Sequence, residues 1–329
     1  MEQLEETYPA VKSDASVLWV DRLKAHVAIL RVDHWAKNVF LLPGIVIPLT
    51  VPHEVNSSLF LNISLGIISV CLVASSNYVI NEILDAPYDR LHPVKNTRPA
   101  ARGLVNVPLG YVQWLVLMVA GVVIGLHVSK LFTLSILALW IMGCVYNIRP
   151  LRTKDVPYLD VLSEAVNNPL RMLAGWYMVT ATLVPPASLL ASYWMIGAYF
   201  MALKRFSELR EFADQTRAAA YRRSFLRYTE RSLLVSVMFY ASSSMLFFGA
   251  FLIRYRIELI LAFPFIALVM AVYCNIAFER DSAAQHPEHL YRNKPLMLCV
   301  ILCSLAMLGL LIFHVPAVHE IFSPTLPPW

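Results

Sequence analysis

The chain has 329 residues, of which 58% are hydrophobic and 15% charged, and its mean hydropathy is +0.59. That composition excludes an ordinary soluble domain. The formal net charge of +5 does not point to nucleic acid, because the basic residues sort along the chain as membrane topology demands.

The first 20 or so residues are polar and read as a flexible cytosolic tail, with no signal peptide before them. About nine apolar stretches near the length of a membrane helix follow, at 36–52, 59–84, 107–127, 130–148, 158–184, 186–205, 231–253, 257–278 and 295–317. Pro43 and Pro48 interrupt the first, and Glu164, Asn167, Asn168 and Arg171 lie inside the fifth. The connections are short, so residues 1–329 are expected to form one all-α, polytopic membrane domain. Nine crossings put the N-terminus on the side of the connections that carry Arg90, Lys95, Arg98, Arg102, Arg149, Arg152, Lys154 and the basic run from Lys204 to Arg231. The other side has only Lys130, Arg254 and Arg256. The positive-inside rule makes the first side cytosolic, in a cytoplasmic (inner) membrane. The Pro-rich 323–329 segment reads as a short external tail.

Taken in order, His34-Trp35-Ala36-Lys37-Asn38 marks the entry into the membrane. It suits an interfacial Trp with a snorkelling Lys, or a Lys37 that reaches a phosphate. At the end of the second stretch, Asn77, Asn81 and Asp85 are four apart and share a helix face; Asp89 extends the row, although Pro87 is expected to end or kink the helix at Ala86. Arg90, Lys95, Arg98 and Arg102 follow within one loop. Oxygen ligands suit Mg²⁺, and the basic loop suits a diphosphate, so both halves of a Mg²⁺–diphosphate site are expected here, with Asn81, Asp85 and Asp89 as ligands. The Tyr146-Asn147…Arg152-Thr153-Lys154 loop is basic enough for topology alone, or for Arg152 to bind substrate. Along the fifth stretch, Asp160, Glu164, Asn167, Asn168 and Arg171 recur at helical spacing and suit either a site lining or an internal scaffold.

The sixth stretch ends in Lys204-Arg205-Phe206-Ser207-Glu208-Leu209-Arg210. This is either a salt-bridged helix end or a second half-site, with Lys204 and Glu208 catalytic and Arg210 binding substrate. The two clusters close the second and sixth crossings, the arrangement of a duplicated four-helix unit. Next, the basic 217–231 segment with Tyr221, Phe225 and Tyr228 reads as an amphipathic surface helix. His286 and His289 lack further ligands, and the five cysteines form no CxxC pair, so neither set is read as a metal site.

The run Asn81-Glu82-x-x-Asp85-x-x-x-Asp89 resembles the NDxxDxxxD signature of the UbiA superfamily of intramembrane prenyltransferases. Within it the chain is most similar to the decaprenyl-phosphate phosphoribosyltransferase branch. That similarity rests on Trp35-x-Lys37-Asn38, on Asp89-Arg90-x-His92-Pro93-x-Lys95-x-x-Arg98-Pro99, on Leu170-Arg171-x-Leu173-Ala174-Gly175 and on Lys204-Arg205-Phe206-x-Glu208-Leu209. The resemblance implies a helical bundle with a membrane-embedded central cavity, a Mg²⁺ requirement, phosphoribosyl diphosphate as donor and a polyprenyl phosphate as acceptor. By position it implies Asn81 and Asp85 as metal ligands with Asp89 nearby, and Lys37, Tyr78, Lys95, Arg98 and Lys204 as donor-phosphate contacts. Two departures stand out: Glu82 replaces an Asp, and 146–171 follows the general superfamily pattern more than the phosphoribosyl branch.

The mixed Lys204-Arg205…Glu208 cluster favours phosphoribosyl transfer over prenyl transfer to an aromatic or other small acceptor, where both half-sites are acidic. A transporter, the reading from another class, predicts charges near the bilayer midplane in both halves, and here they gather at one end. The sequence leaves the oligomeric state open, a homo-oligomer included.

Overall fold

The computed structural model describes residues 17–51, 58–91, 94–212, 215–280, 282–285 and 287–322. The N-terminal tail up to residue 16, His92, Pro93, the side chains of His286 and His289, and the 323–329 tail lie outside them. Among the described residues every regular element is helical: α1 (Val17–Ala28), α2 (Leu42–Leu49), α3 (Leu59–Asp89), α4 (Val107–Val128), α5 (Lys130–Asn147), α6 (Leu159–Ala165), α7 (Asn167–Val179), α8 (Ala187–Glu211), α9 (Gln215–Tyr221), α10 (Glu230–Tyr255), α11 (Phe263–Ala277), α12 (Lys294–Ile312) and α13 (Pro316–Ile321), with 3-10 turns between several of them.

Six of the expected stretches become helices long and apolar enough to cross a bilayer: α3, α4, α5, α10, the Ile257–Ala277 segment that ends in α11, and α12. The other three depart from the expected single spans. The 36–52 stretch is a 3-10 turn, Val32–Leu41, followed by the short α2 with Pro48 inside it. The 158–184 stretch divides at Val166 into α6 and α7. Helix α8 is long enough, but Lys204, Arg205, Glu208, Arg210 and Glu211 crowd its last two turns. Helices α6 and α8 carry Asp160, Lys204, Arg205 and Glu208 of the polar cluster described below, whereas the 36–52 stretch is apolar and is cut short by its prolines.

Helix α3 packs along α4 and α5, α7 lies against α2 and α5, and α8 packs along α10. Between helices in a bilayer the hydrophobic effect gives little, and close packing and hydrogen bonds must serve. At the α2–α7 crossing a Cβ on Gly44 would strike the carbonyl of Met172, and one on Gly175 the carbonyl of Leu41. The two backbones touch there, and only glycine allows it. Serine hydroxyls stitch the long pairs. Ser69 and Ser76 on α3 donate to the carbonyls of Gly121 and Trp114 on α4, both at 2.7 Å. On α8 and α10, Ser192 and Ser244 donate to each other's carbonyls at 3.0 and 3.1 Å. Bonds of this kind contribute about 0.6 kcal/mol each, so their value is mainly in fixing register.

Contrary to the expected break at Ala86, α3 runs through Pro87 to Asp89. Pro87 lies in the last turn and forfeits a single donor, and the Arg90 N–H closes the helix on the Ala86 carbonyl at 3.3 Å. Asn81, Asp85 and Asp89 therefore stay on one rigid face. The 217–231 segment also differs from expectation. It is the short α9 and a 3-10 turn, and Tyr221, Phe225 and Tyr228 are buried against α8 rather than turned to lipid headgroups.

Candidate functional site

The C-terminal ends of α3, α5 and α8 meet with the loops that follow them, and the charged residues of the chain gather there. Asp85 is the centre of one network. Its Oδ1 accepts from Lys154 Nζ and from Arg152 Nη2, the latter at 3.1 Å. Its Oδ2 accepts from Asn81 Nδ2 at 3.0 Å. Asn147, the last residue of α5, accepts from Asn81 and from Lys154, both at 2.7 Å. Arg152 reaches Asp155 at 3.1 Å, and its guanidinium lies over the Tyr88 ring at 4.9 Å. Burial pushes the Lys154 ammonium down to about 8, against the opposing pull of Asp85. Four residues on, Asp89 pairs with Arg98 at 2.7 Å. Burial opposes the Arg98 charge, but Asp89 outweighs it and holds this guanidinium above its ordinary value.

The end of α8 faces this network. Glu208 accepts from Arg205 at 2.5 Å and lies 3.7 Å from Lys95. Lys95 also donates to the Tyr221 hydroxyl, with its ammonium 4.5 Å from that ring's centre. Arg205 is tied in turn to Asp160 at 3.2 Å and to the Tyr146 hydroxyl at 3.2 Å. Asp160 is fully buried and also accepts from Ser224 at 3.1 Å and Tyr228 at 2.6 Å, with Arg222 at 3.7 Å. A narrow cleft lined by Asp85, Tyr88, Asp89, Arg152, Lys154, Asp155, Tyr221 and Arg222 opens between the two networks.

Lys204 stands apart. It is half-buried on α8 near Lys37 and Lys95, and among the described residues it has no hydrogen-bond or ion-pair partner. Lys37 bonds to His34 at 2.9 Å and lies 5.9 Å from the centre of the Tyr78 ring.

The expected residues Asn81, Asp85, Asp89, Lys95, Arg98, Arg152 and Glu208 thus come together, and Lys37, Tyr78 and Lys204 border them. Two do not join. Arg171 is buried on α7 and donates to Asn38 at 3.2 Å, tying α7 to the 3-10 turn ahead of α2. Arg210, expected to bind substrate, lies apart from the cleft. Two residues on from Glu208, it projects from another face of α8, is exposed, donates to the Phe278 carbonyl at 3.1 Å and stacks on Phe206 and Phe278. Glu82, which stands where the signature has Asp, turns away from this face and accepts from Arg31 at 2.6 and 2.9 Å.

Sequence reasoning missed Asn147, Tyr221 and Arg222 as members of the cluster, and left Lys154 open between topology and a site. The available signals were a carboxylate, Asp160, at the start of an apolar stretch and the 3–4 spacing of Tyr221, Phe225 and Tyr228. The backbone offers another. Of the three described non-glycine residues with positive φ, Arg152 (26°) and Tyr158 (66°) belong to these networks, while Arg31 (49°) holds Glu82 outside them.

Chemically, Asn81, Asp85 and Asp89 offer an all-oxygen donor set on one helix face. That fits a hard divalent cation such as Mg²⁺ and does not fit a thiolate- or imidazole-seeking metal. The surrounding lysines and arginines outnumber the carboxylates, so the cleft suits a strongly anionic ligand.

A sequence profile of the UbiA prenyltransferase family matches residues 39–297. Nodulation protein NoeC of Azorhizobium caulinodans is 32% identical over 183 residues, 55% of this chain and 56% of that protein. The decaprenyl-phosphate phosphoribosyltransferase of Corynebacterium glutamicum is 28% identical over 207 residues, 61% of this chain and 58% of that protein. The chain thus spans less than two thirds of the length of either relative. A solved UbiA homolog from Archaeoglobus fulgidus, bound to GPP and Mg²⁺, superposes with a TM-score of 0.65 at 19% identity, covering 86% of this chain and 99% of that one. That likeness is one of fold.

Proposed function

The chain belongs to the UbiA prenyltransferase family, and from that premise we propose that it transfers a phosphoribosyl group from 5-phosphoribosyl 1-diphosphate to a polyprenyl (decaprenyl-like) phosphate, releasing diphosphate. The observation that carries this reading is the state of the α8 half-site. Its carboxylate, Glu208, is neutralised by Arg205 at 2.5 Å and Lys95 at 3.7 Å, while Lys204 beside it has no bonded partner among the described residues. A half-site of that sign takes anionic oxygens directly instead of a second metal ion. Both proposed substrates are anions, and the acceptor's attacking phosphate must be neutralised as it approaches C1. A neutral aromatic acceptor would have no use for the extra cations. The relative from C. glutamicum, named for the same reaction, supports the choice.

In this reading, Asn81, Asp85 and Asp89 would hold Mg²⁺, which when bound would supply charge neutralisation to the diphosphate leaving group. Lys95 and Arg98 hold diphosphate oxygens from the 90–106 loop, with Arg152 and Lys154 facing them across the cleft. Lys37 and Lys204 receive the second anion. Glu208 positions Lys95 and Arg205 and does not ligate metal. The protein is an integral membrane protein, and the Lys/Arg asymmetry supports a cytoplasmic membrane with the cleft on the cytosolic side.

The test uses purified protein in detergent with Mg²⁺. One reaction receives labelled phosphoribosyl diphosphate and polyprenyl phosphate; a parallel one receives an isoprenyl diphosphate with aromatic acceptors. A lipid-extractable label in the first is the expected result. Turnover confined to the second would replace this reading with prenyl transfer and make Lys204 structural.

A further inference from the structure

The far end of the bundle holds a separate set of ligating side chains. Helix α10 runs about 39 Å from Glu230, beside Arg210 at the cleft end, to Tyr255. There the chain turns, and Glu258 lies in that turn with 0% of its surface exposed. Its Oε1 accepts from His314 Nδ1 at 2.7 Å and from His319 Nε2 at 3.2 Å. His314 follows α12 and His319 belongs to α13, and their rings lie 4.7 Å apart. Both imidazoles are open to solvent, 58% and 52% exposed. Among the described residues this is the one group of three His, Cys, Asp or Glu side chains whose ligating atoms all lie within 4.8 Å of one another.

A second observation is independent of that geometry. Glu258 Oε2 is buried and accepts no hydrogen bond among the described residues. Arg256 Nε is 3.7 Å away, beyond hydrogen-bond reach, and its guanidinium is instead committed to the carbonyls of Leu310 and Leu311 at 3.3 and 2.9 Å. A buried carboxylate oxygen left without a donor is costly, and a cation bound at the carboxylate removes the cost.

We propose that Glu258, His314 and His319 bind a divalent transition-metal ion of the zinc class. Two imidazole nitrogens and one carboxylate oxygen form a borderline donor set that suits Zn²⁺ or Co²⁺ and leaves a fourth position for water. Mg²⁺, which seeks oxygen ligands alone, does not suit it. Coordination takes His314 through Nδ1 and His319 through Nε2, each ring keeping its proton on the other nitrogen. Arg256 is the nearby charge that opposes the ion, and its bonds to α12 hold it back. Because the ligands come from the turn after α10 and from both sides of the start of α13, the ion fastens α13 to the end of the bundle, remote from the cleft.

The test titrates chelator-stripped full-length protein in detergent with Co²⁺, in excess Mg²⁺ to fill the oxygen site around Asp85. One equivalent of Co²⁺ with visible d–d bands, displaced by Zn²⁺, is expected. His314→Ala and His319→Ala change half-exposed side chains, so folding should survive, as melting in the same detergent verifies. Each should weaken Co²⁺ binding by more than the roughly 10–100-fold lost with even an outer partner of a metal ligand, while Asp85→Asn leaves it intact. No Co²⁺ spectrum in the unaltered protein, or one indifferent to both His substitutions, overturns the proposal. A spectrum lost in Asp85→Asn assigns the ion to the cleft and overturns it as well.

Discussion

Asp160→Asn tests whether the buried network behind the cleft is held by charge. Asp160 Oδ2 takes Arg205 at 3.2 Å and Ser224 at 3.1 Å, with Arg222 at 3.7 Å, while Oδ1 takes the Tyr228 hydroxyl at 2.6 Å. An asparagine can place its carbonyl oxygen where Oδ2 lies and keep two of those bonds. Its amide would then point at Tyr228, whose hydroxyl already accepts from the Tyr158 N–H at 2.6 Å, and the tyrosine proton would lose its acceptor. One neutral hydrogen bond of this kind is worth about 1 kcal/mol. The charge counts for more. Arg205, Arg222 and Lys95 now share two carboxylates, Asp160 and Glu208, and after substitution they would share Glu208 alone. Breaking a buried pair from one side costs about 3–5 kcal/mol, and the surviving Glu208 keeps the expected loss near the lower figure, about 3 kcal/mol. Equilibrium unfolding in mixed micelles reads this directly, with Asp160→Ala expected to cost more. A loss within about 0.5 kcal/mol, the scale of an ordinary surface change, would refute the argument. Unchanged stability with abolished turnover would move Asp160 into the catalytic set.

Lys154 loses its proton above about pH 8, so the KM for the diphosphate donor should rise above that pH, and Lys154→Arg, charged throughout, should abolish the rise. Stability should move the other way. The unfolded chain keeps this proton up to an ordinary value near 10.5, so between about 8 and 10.5 it binds more protons than the folded state and the protein gains stability with pH. Asp85→Asn should abolish Mg²⁺-dependent turnover while the protein stays folded in detergent; undiminished activity would sink the metal assignment. Lys204→Gln should raise the KM for an anionic substrate by about tenfold or more, as expected for losing a charged contact of about 1.5–3 kcal/mol, and leave melting unchanged or higher. Arg210→Ala should leave kcat/KM within about twofold of the unaltered enzyme, since a surface change of about 0.5 kcal/mol or less is expected; a large fall would return Arg210 to the site.

The face of α3 was legible because one helix supplies its own neighbours: a four-residue spacing places Asn81, Asp85 and Asp89 together whatever the rest of the chain does. Groups paired across the fold were not. Glu82 looked like part of the signature, but its partner Arg31 lies 51 residues earlier. The partners of Asp160 lie 45, 64 and 68 residues later. Arg210 was read with its sequence neighbours, and its contact with the Phe278 carbonyl, 68 residues later, was not legible. The aromatic spacing of Tyr221, Phe225 and Tyr228 was seen, but spacing alone does not tell whether an apolar face meets lipid or protein. The six spans were legible as apolar runs. Of the three segments that fall short, 36–52 is broken by its prolines, while α6 and α8 carry the buried polar residues Asp160, Lys204, Arg205 and Glu208.

Arg152 has φ 26° and ψ 60°, a conformation that costs a non-glycine residue about 1–3 kcal/mol and persists only where its surroundings impose it. Three contacts impose it: Asp85, Asp155 and the Asn147 carbonyl. Whatever ligand draws Asp85 away from Arg152 removes one of the three and loosens the loop's hold on its own shape. Occupancy of the cleft and the posture of the 148–158 loop therefore share a single carboxylate.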